Sequence, residues 1–462
     1  MDLDVLLLSR LQFAFTIGFH ILFPTFTIGL GLFLVVLEAR WLFWGEQGAY
    51  RLARFWSGVF ALAFGVGVVS GLVLSYELGT NWARFSAYTG NLLGPIISYE
   101  VLTAFFLEAG FLGIMLFGWT RVGPRVHFFA TCMVALGTII SAFWILSGNS
   151  WMQTPAGYAV EDGRVIATDW WAAVFNPSFP YRFAHMVVAA LLASAFAIAG
   201  VAAWYLLLGV HEEFARRTFS LAMWMAAVAA PTQLVIGDLH GLNTLAHQPM
   251  KVAAMESLWD TQRGAPFVLF TIPDEAGERN RAEVAIPRAG SLILTHSLDG
   301  EVKGLKEVPP QDRPPVAIVF FAFRIMVGIG LLFIAVAAVG LWLRREGRLY
   351  TARWFHRLCL WVSPLGFVAV LAGWTVTEVG RQPWIVHGLQ RTADAVSQLP
   401  AASVATTLAL FVAAYTVLLL AFLAFFLRMV RNGPNYTLEP PHFQDKARTI
   451  YGRHPARGTA AE

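Results

Sequence analysis

Nine apolar stretches, most of them about 20 residues or longer, constrain this chain more than any other feature of its sequence. A helix of that length crosses about 30 Å of hydrocarbon and bonds its own backbone N–H and C=O groups, which lipid cannot do. The chain has 462 residues, of which 57% are hydrophobic and 13% are charged, so a soluble fold is excluded. The predicted fold class is all-α, a polytopic membrane helix bundle.

The predicted spans and connections divide the chain into four parts. Residues 1–237 hold spans one to six, 238–315 are an external loop, 316–430 hold spans seven to nine, and 431–462 are a tail. The long loop is polar, charged and punctuated by Pro and Gly. The nine spans are predicted, in chain order, at 11–37, 57–78, 93–118, 127–148, 183–208, 218–237, 316–343, 360–379 and 403–430.

The distribution of Lys and Arg predicts the orientation. These residues concentrate in the loops after spans one, three, five and seven and in the tail, which places those segments in the cytoplasm. The N-terminus and the 238–315 loop are therefore expected outside. The first residues, MDLDVLLLSR, lack the basic region of a cleaved signal peptide, so the first span is expected to be retained.

Composition also excludes some functions. The excess of basic over acidic residues is small and spread among loops, so no nucleic-acid partner is expected. Cys132 and Cys359 lie in or beside apolar spans, and no CxxCH motif is present. Neither a disulfide framework nor covalent c-type haem is expected.

Ionisable residues inside spans are functional candidates because they are costly in lipid. His20 and His185 are the two histidines predicted within the outer halves of spans, whereas His127 is placed at the inner rim. Glu100 and Glu108 lie in span three, about 12 Å and 80° apart on an ideal helix, so both can face one groove. Glu77 and Asp238 are interpreted as solvated span ends.

Three further residues lie at a similar depth. Glu378 ends span eight, and Arg324 and Met326 lie in the outer part of span seven. The two histidines, Met326 and Glu378 have ordinary alternatives: a packing histidine, a core methionine or an interfacial acid. Arg324 is harder to explain in that way, because a guanidinium in lipid needs an anion, and haem propionates are suitable ones. A shared level across five spans instead predicts a buried cofactor layer near the outer surface. Haem iron takes His or His/Met ligands, which suits one haem b on His185 and Met326 and another haem on His20.

Several motifs carry a family resemblance. The stretches SRLQFAFTIGFHILFP, LGTNW, YEVLTAFFLEAGFLGIMLFGW, KVAAMESLWDTQ, FAFRIMVGIG and EVGRQPW occur in this order. Together they resemble subunit I of the cytochrome bd-type quinol oxidases, from residue 1 to about 430. The short external loop resembles the short-loop, cyanide-insensitive-oxidase-like group of that family.

The resemblance implies roles for individual residues. His185 and Met326 are implied as axial ligands of a low-spin haem b, with Arg324 stabilising it. His20 is implied as the ligand at the oxygen-reducing haem, Glu378 as the ligand of a high-spin haem b, and Glu100 as the acid near the oxygen site. The remaining implied residues are Arg381 and Trp374 at the haems, Lys251 and Glu256 at the quinol site, and Glu108 and Ser141 on the proton path.

The resemblance also implies cofactors, partners and location. Two haem b groups, one low-spin and one high-spin, are expected with a third haem that is d or b. Subunit II is the expected partner, with a small single-span subunit as an optional one, alongside membrane lipid, ubiquinol or menaquinol, and O2. The expected location is the bacterial cytoplasmic (inner) membrane, multi-pass. One departure is Thr120, where the family has an acid.

The function implied is a terminal quinol oxidase of an aerobic respiratory chain. Quinol is oxidised outside, O2 is reduced to water with cytoplasmic protons, and proton motive force arises without pumping. Two alternatives stay open. An electron-transfer subunit without oxidase activity would leave His20 and Glu378 without roles, and a secondary transporter would use only the acids. A CO difference spectrum separates the three.

Overall fold

The computed structural model describes residues 4–440. Within that part of the chain, nine helical segments are long and apolar enough to cross a membrane. Each contains one predicted span, so the predicted all-α bundle is confirmed. Which end faces the cytoplasm stays a prediction. The last long helix ends at Asn432. Most of the predicted tail, residues 441–462, lies outside the described residues.

The helices are numbered in chain order. Their bounds are α1 Val5–His20, α2 Leu22–Trp44, α3 Gln47–Thr80, α4 Ala83–Glu100, α5 Phe106–Phe117, α6 Pro124–Gln153, α7 Trp170–Val174, α8 Phe179–Leu208, α9 Glu212–His247, α10 Pro249–Glu256, α11 Ala289–Thr295, α12 Val316–Arg345, α13 Arg353–Val362, α14 Leu365–Val379, α15 Thr392–Ala395 and α16 Ala401–Asn432. A π-helical segment, Val101–Phe105, joins α4 to α5. Two 3₁₀ turns cover Leu305–Glu307 and Pro310–Asp312.

Eight short strands form antiparallel pairs in the connections. The pairs are β1 Tyr158–Glu161 with β2 Arg164–Ala167, β3 Gln262–Arg263 with β6 Glu301–Val302, β4 Phe267–Asp274 with β5 Arg279–Ile286, and β7 Trp384–Val386 with β8 Gln390–Arg391. The β4–β5 hairpin is the largest, pairing Phe267 with Ile286 at one end and Asp274 with Arg279 at the other.

Two interruptions of the helices fall beside candidate site residues. α1 ends at His20, and α2 begins after Ile21. Pro24 explains the break, because it has no N–H to give the carbonyl four residues earlier, that of His20. The π segment follows Glu100 directly and, with more residues per turn, reduces the rotation between Glu100 and Glu108.

Close contact between α2 and α8 holds the centre of the bundle. A Cβ at Gly29 would overlap Ser194 on α8. The Ser194 hydroxyl lies 3.3 Å from the carbonyl oxygen of Thr25 and 3.2 Å from that of Phe26. Small residues that let helices approach, joined by hydroxyl hydrogen bonds, are typical of membrane bundles.

Three features differ from the sequence interpretation. α9 continues to His247, so residues 238–247 extend a helix that was expected to end at 237. Glu77 is fully buried and accepts a hydrogen bond from Thr16 at 2.9 Å, so its assignment to a solvated rim was wrong. His127, placed at the inner rim from the sequence, is 1% exposed and contacts Glu38, a partner that the sequence did not indicate.

Candidate haem and quinol site

His185 lies on α8 against α9, in a pocket with unpaired polar atoms. Its Nε2 is 3.0 Å from Gln233 Nε2, and its ring centroid is 5.3 Å from that of His240. Among residues 4–440, neither His185 Nδ1 nor Gln233 Oε1 has a hydrogen-bond partner. Buried polar atoms are rarely left unpaired, so these two atoms fit a site that a bound group completes.

His20 has one ring nitrogen committed to the protein. Its Nδ1 is 2.9 Å from Ser70 Oγ, and the single hydroxyl proton of Ser70 faces the backbone carbonyl of Val66 at 2.9 Å. Ser70 therefore accepts from Nδ1–H, which leaves Nε2 with a free lone pair. A histidine that donates one N–H to a second group is the usual arrangement of a metal ligand.

Glycine lies beside three of the four candidate iron ligands. A Cβ at Gly71 would be 3.1 Å from His20 Cε1, and one at Gly237 would be 3.5 Å from His185 Cε1. A Cβ at Gly373 would be 2.9 Å from Met326 Sδ. The absence of side chains on these helix surfaces lets His20, His185 and Met326 pack directly against the neighbouring helices.

Three buried cations gather around one acid, at the start of α8, at the start of α10 and just after α14. Arg182 is 6% exposed, Lys251 is 3% exposed and Arg381 is 5% exposed. Their acid is Glu378, which pairs with Arg381 and accepts a hydrogen bond from Asn149 Nδ2 at 2.9 Å. The cluster carries an excess of positive charge, and a buried excess of charge needs an anion.

The unpaired atoms of this cluster point to the same requirement. Within the described residues, Arg182 Nε and both Nε and Nη1 of Arg381 lack partners. Burial, followed by the charges of Arg182 and Arg381, lowers the pKa of Lys251 well below its ordinary value, and Glu378 opposes that shift. An anionic group such as a haem propionate would satisfy these donors. The residues present therefore fit the haem that the sequence implies.

His387 and Trp374 border the same region. Burial, with the charges of Lys251 and Arg381, lowers the pKa of His387 to about 4. Trp374 is half-buried on α14, one turn before Glu378, and its Nε1 has no partner among the described residues. His, Cys, Asp and Glu residues form no group of three or more in residues 4–440 that could hold a metal ion alone. A porphyrin supplies most of its iron's ligands itself.

Arg324 meets a protein carboxylate in the structure. Its Nη2 donates to Glu256 Oε2 at 2.7 Å, and its Nε donates to the carbonyl of Val268 at 2.7 Å. From the sequence, this guanidinium was expected to stabilise a haem. The observed hydrogen bonds instead connect α12 to α10 and to the β4 strand. Arg324 Nη1 is buried without a partner in the described chain, so one donor stays free.

Lys251 and Glu256 face opposite sides of α10. Lys251 Nζ donates to Gln153 Oε1 at 2.6 Å, whereas Glu256 turns to Arg324. Both side chains are buried, which does not fit ordinary solvated loop charges. A cavity of about 260 Å³ lies beyond the end of α10, lined by Ser257, Trp259, Val268, Glu278 and Asn280 among others.

The acids of the third span face α6. Ser141 Oγ donates to Glu100 Oε1 at 2.8 Å. Glu108 is 6% exposed and lies against Gly137, where a Cβ would overlap its side chain. Gly137 and Ser141 are one helical turn apart, so both acids meet the same strip of α6. The predicted common groove for Glu100, Glu108 and Ser141 agrees with this packing.

Sequence reasoning missed several residues of this site, and three of them show why. Arg182 had been counted only as a loop charge, although it precedes His185 by less than one turn. His240 was assigned to the external loop because the length of α9 was underestimated. Gln153, the partner of Lys251, carries no charge to draw attention. Of these three residues, only Arg182 could have been predicted from the sequence, because its spacing from His185 places both side chains on one face of a helix.

Comparisons with known proteins point to one family along most of the chain. The family model described as Cytochrome bd terminal oxidase subunit I matches residues 8–434. The chain is 36% identical over 444 residues to the cytochrome bd ubiquinol oxidase subunit 1 of Bacillus subtilis (strain 168), covering 93% of this chain and 94% of the relative. It is 33% identical over 500 residues to the cytochrome bd-II ubiquinol oxidase subunit 1 of Escherichia coli (strain K12), covering 94% and 97%.

A solved structure gives the same result. The bd oxidase from Geobacillus thermodenitrificans superposes with a TM-score of 0.88 at 33% identity, covering 94% of this chain and 100% of that chain. The agreement extends through the helices that carry the glycine-flanked ligands and the cationic cluster. The family predicted from the sequence motifs is confirmed: this chain belongs to the cytochrome bd terminal oxidase subunit I family.

Proposed function

We propose that this chain is the subunit in which quinol is oxidised and O2 is reduced in a bacterial aerobic respiratory chain. The observation that carries the proposal is the buried cluster of Arg182, Lys251 and Arg381 around Glu378. It requires an anionic group at the same outer level as His185. Membership of a family whose relatives are named ubiquinol oxidases supports the substrate.

The ligand assignments remain those expected from the sequence. His185 and Met326 would hold a low-spin haem b, Glu378 a high-spin haem b, and His20 a third haem that is d or b. Arg381 would bind propionates, with Trp374 beside the rings. When bound, these haems supply one-electron transfer and an iron centre for oxygen reduction.

Quinol is proposed to bind at the external side of α10. The cavity beyond Glu256 is lined mostly by polar groups, with Leu258, Trp259 and Val268 among its apolar part, so it offers hydrogen-bond partners for quinol hydroxyls. Burial raises the pKa of Glu256, and Arg324 opposes the shift. A carboxylate with a raised pKa accepts a proton from a quinol hydroxyl more readily. The Lys251 side of α10 faces the cationic cluster, which connects the two parts of the site.

Proton supply to the oxygen site is proposed to use the third span. Glu108 and Glu100 hold protons in turn, and the Ser141 hydroxyl orients Glu100 through its 2.8 Å hydrogen bond. Protons enter from the cytoplasm and quinol protons leave outside. Charge separation then follows from the positions of the two sites, without a pump.

The assembly is proposed to include subunit II and, optionally, a small single-span subunit, in the cytoplasmic membrane. Ubiquinol and menaquinol both stay open as donors. One relative from Bacillus subtilis is named a putative menaquinol oxidase, and two others are named ubiquinol oxidases.

The test combines spectra with turnover. The purified complex should show a reduced-minus-oxidised haem spectrum with a CO-reactive part, and it should consume O2 when given quinol. Low-spin haem without a CO response would favour an electron-transfer subunit, and a colourless complex would favour a transporter. Comparing the two quinols at matched concentrations identifies the donor.

A further inference from the structure

A buried acid and histidine meet at the opposite end of the bundle from the haem layer. Glu38 on α2 is 0% exposed, and His127 on α6 is 1% exposed. His127 Nδ1 lies 2.9 Å from Glu38 Oε2, and the Thr131 hydroxyl donates to Glu38 Oε1 at 2.6 Å. The Lys and Arg distribution assigns this end to the cytoplasm.

The hydrogen bonds fix the number of protons in this pair. His127 Nε2 is 3.1 Å from the backbone carbonyl of Met115, which can only accept, so Nε2 carries a hydrogen. The contact between Nδ1 and Glu38 then holds one further proton. That proton resides on the imidazole or on the carboxyl, and the pair is neutral overall in both cases. A neutral pair can be buried without a third charge.

The pair begins a polar strip that leads to the acids of the third span. His127, Thr131, Thr138 and Ser141 fall within an arc of about 80° on α6. Glu108 packs at Gly137, next to Thr138, and Glu100 binds Ser141. The rise from Thr131 to Gly137 is about 9 Å, a gap that one or two water molecules span.

Trp119 covers the cytoplasmic side of the pair. Its ring centroid is 3.9 Å from that of His127, and the guanidinium of Arg54 lies 5.1 Å from the Trp119 ring centroid. Trp119 is itself 2% exposed. Solvent therefore reaches His127 only when this cover moves, which separates the pair from free exchange with the cytoplasm.

We propose that the Glu38–His127 pair is the cytoplasmic loading site of the proton path to Glu108, an inference that rests on the proposed function. In each cycle the shared proton passes toward Glu108 through Thr131 and bridging water. A proton from the cytoplasm then replaces it when Trp119 admits solvent. Glu108 gains one proton, Thr131 and the bridging water each accept one proton and release another, and the pair returns to its starting state.

Glu38→Gln separates this role from a purely structural one. The amide oxygen still accepts from Thr131, and the amide N–H donates to Nδ1 of a neutral His127, so all three hydrogen bonds persist. What is lost is the transferable proton. We expect normal haem content and spectrum, O2 consumption slower by at least about tenfold, and an enlarged solvent deuterium isotope effect.

A readout independent of turnover is proton uptake on anaerobic reduction of the haems, followed with a pH-indicator dye. Glu38→Gln should slow the uptake without changing its final extent. Glu46→Gln, a partly exposed acid that pairs with Arg40 and Arg217 at the same end, is the matched control and should leave both quantities unchanged.

The outcomes separate the two proposals. A wild-type complex without haem or quinol-driven O2 consumption refutes the proposed function itself. An active wild type together with a haem-replete Glu38→Gln of unaltered rates overturns the loading site alone. If Glu38→Gln loses haem, the rates of O2 consumption and of proton uptake are measured in His127→Gln instead. Unaltered rates in a haem-replete His127→Gln would overturn the loading site. If both variants lose haem, the pair is a structural tie and the inference is wrong.

Discussion

Arg324 on α12 and Glu256 on α10 form an ion pair of 2.7 Å, with the guanidinium 14% exposed and the carboxylate 8% exposed. The guanidinium also lies over the rings of Phe267 and Phe320, 4.7 Å and 4.6 Å from their centroids. This pair joins the helix bundle to the segment that follows α10. Its integrity therefore links the proposed quinol region to the proposed haem region.

Glu256→Ala should destabilise this junction strongly. Removing one partner leaves a largely buried guanidinium uncompensated, which costs about 3 kcal/mol. Hydrogen exchange over residues 253–268 should increase, and the thermal unfolding temperature should fall. Glu212→Ala breaks an exposed pair with Arg216 and should cost less than about 1 kcal/mol. Equal effects of the two substitutions would show that Arg324 has another anion.

His20→Ala should abolish O2 consumption while sparing the haem on His185. The free Nε2 of His20 is the group that the oxygen-site haem loses, whereas His185 and Met326 are unchanged. Haem extraction and a CO difference spectrum measure the two populations separately. Full turnover in this variant would refute the assignment of His20.

Met326→Leu should affect the low-spin haem and spare the CO-reactive haem, the reverse of the His20→Ala result. Leucine fills the space beside Gly373 but cannot bind iron, so the low-spin spectrum should be lost and the CO-reactive part should remain. Met223→Leu changes a buried core methionine and is the control. An unchanged low-spin spectrum in Met326→Leu would remove Met326 from the ligand set.

Lys251→Met should destabilise the protein more with haem than without it. Without a bound anion, removing an excess buried cation offsets the lost hydrogen bond to Gln153, so the stability of the haem-free protein should change by less than about 1 kcal/mol. With propionates bound it removes a donor, and the holoprotein should lose about 1–3 kcal/mol. Thermal unfolding of protein from haem-sufficient and haem-deficient cells measures both. Lys303→Met, on an exposed loop, should change neither by more than about 0.5 kcal/mol.

The β4–β5 hairpin should loosen in acid. Hydrogen bonds from Arg281 and from the Gly277 N–H lower the pKa of Asp274 below its ordinary value of 3.8. A pKa lower in the folded state means that the stabilisation is present above pH 3.8 and is lost as pH falls below it. The protection factors of residues 267–286, which correct for the intrinsic pH dependence of amide exchange, should therefore be lower at about pH 3 than at neutral pH.

Asp274→Asn should remove that acid sensitivity. Asp299→Asn changes a more exposed acid of the same segment, 3.6 Å from Arg288, and should preserve it. An acid response that survives in Asp274→Asn would mean that another carboxylate controls the hairpin.

Sequence patterns determined the number and rough position of the spans, because lipid demands long apolar helices wherever the chain crosses. They also predicted His20, His185, Met326 and Glu378 as candidate iron ligands, because ionisable groups in such helices are conspicuous and Met326 lies at a similar depth. The motifs were sufficient to assign the family. Each of these inferences depends on local composition or on short strings of residues.

Pairing between distant residues was decided by the tertiary structure alone. Nothing in the sequence shows that Arg324 meets Glu256, that Lys251 turns to Gln153, or that Glu77 and Glu38 are buried. Each contact depends on how helices rotate and approach, which the packing of glycine and serine surfaces sets. A residue's chemistry can be read locally, but its charge partner is chosen by the packing of the whole bundle.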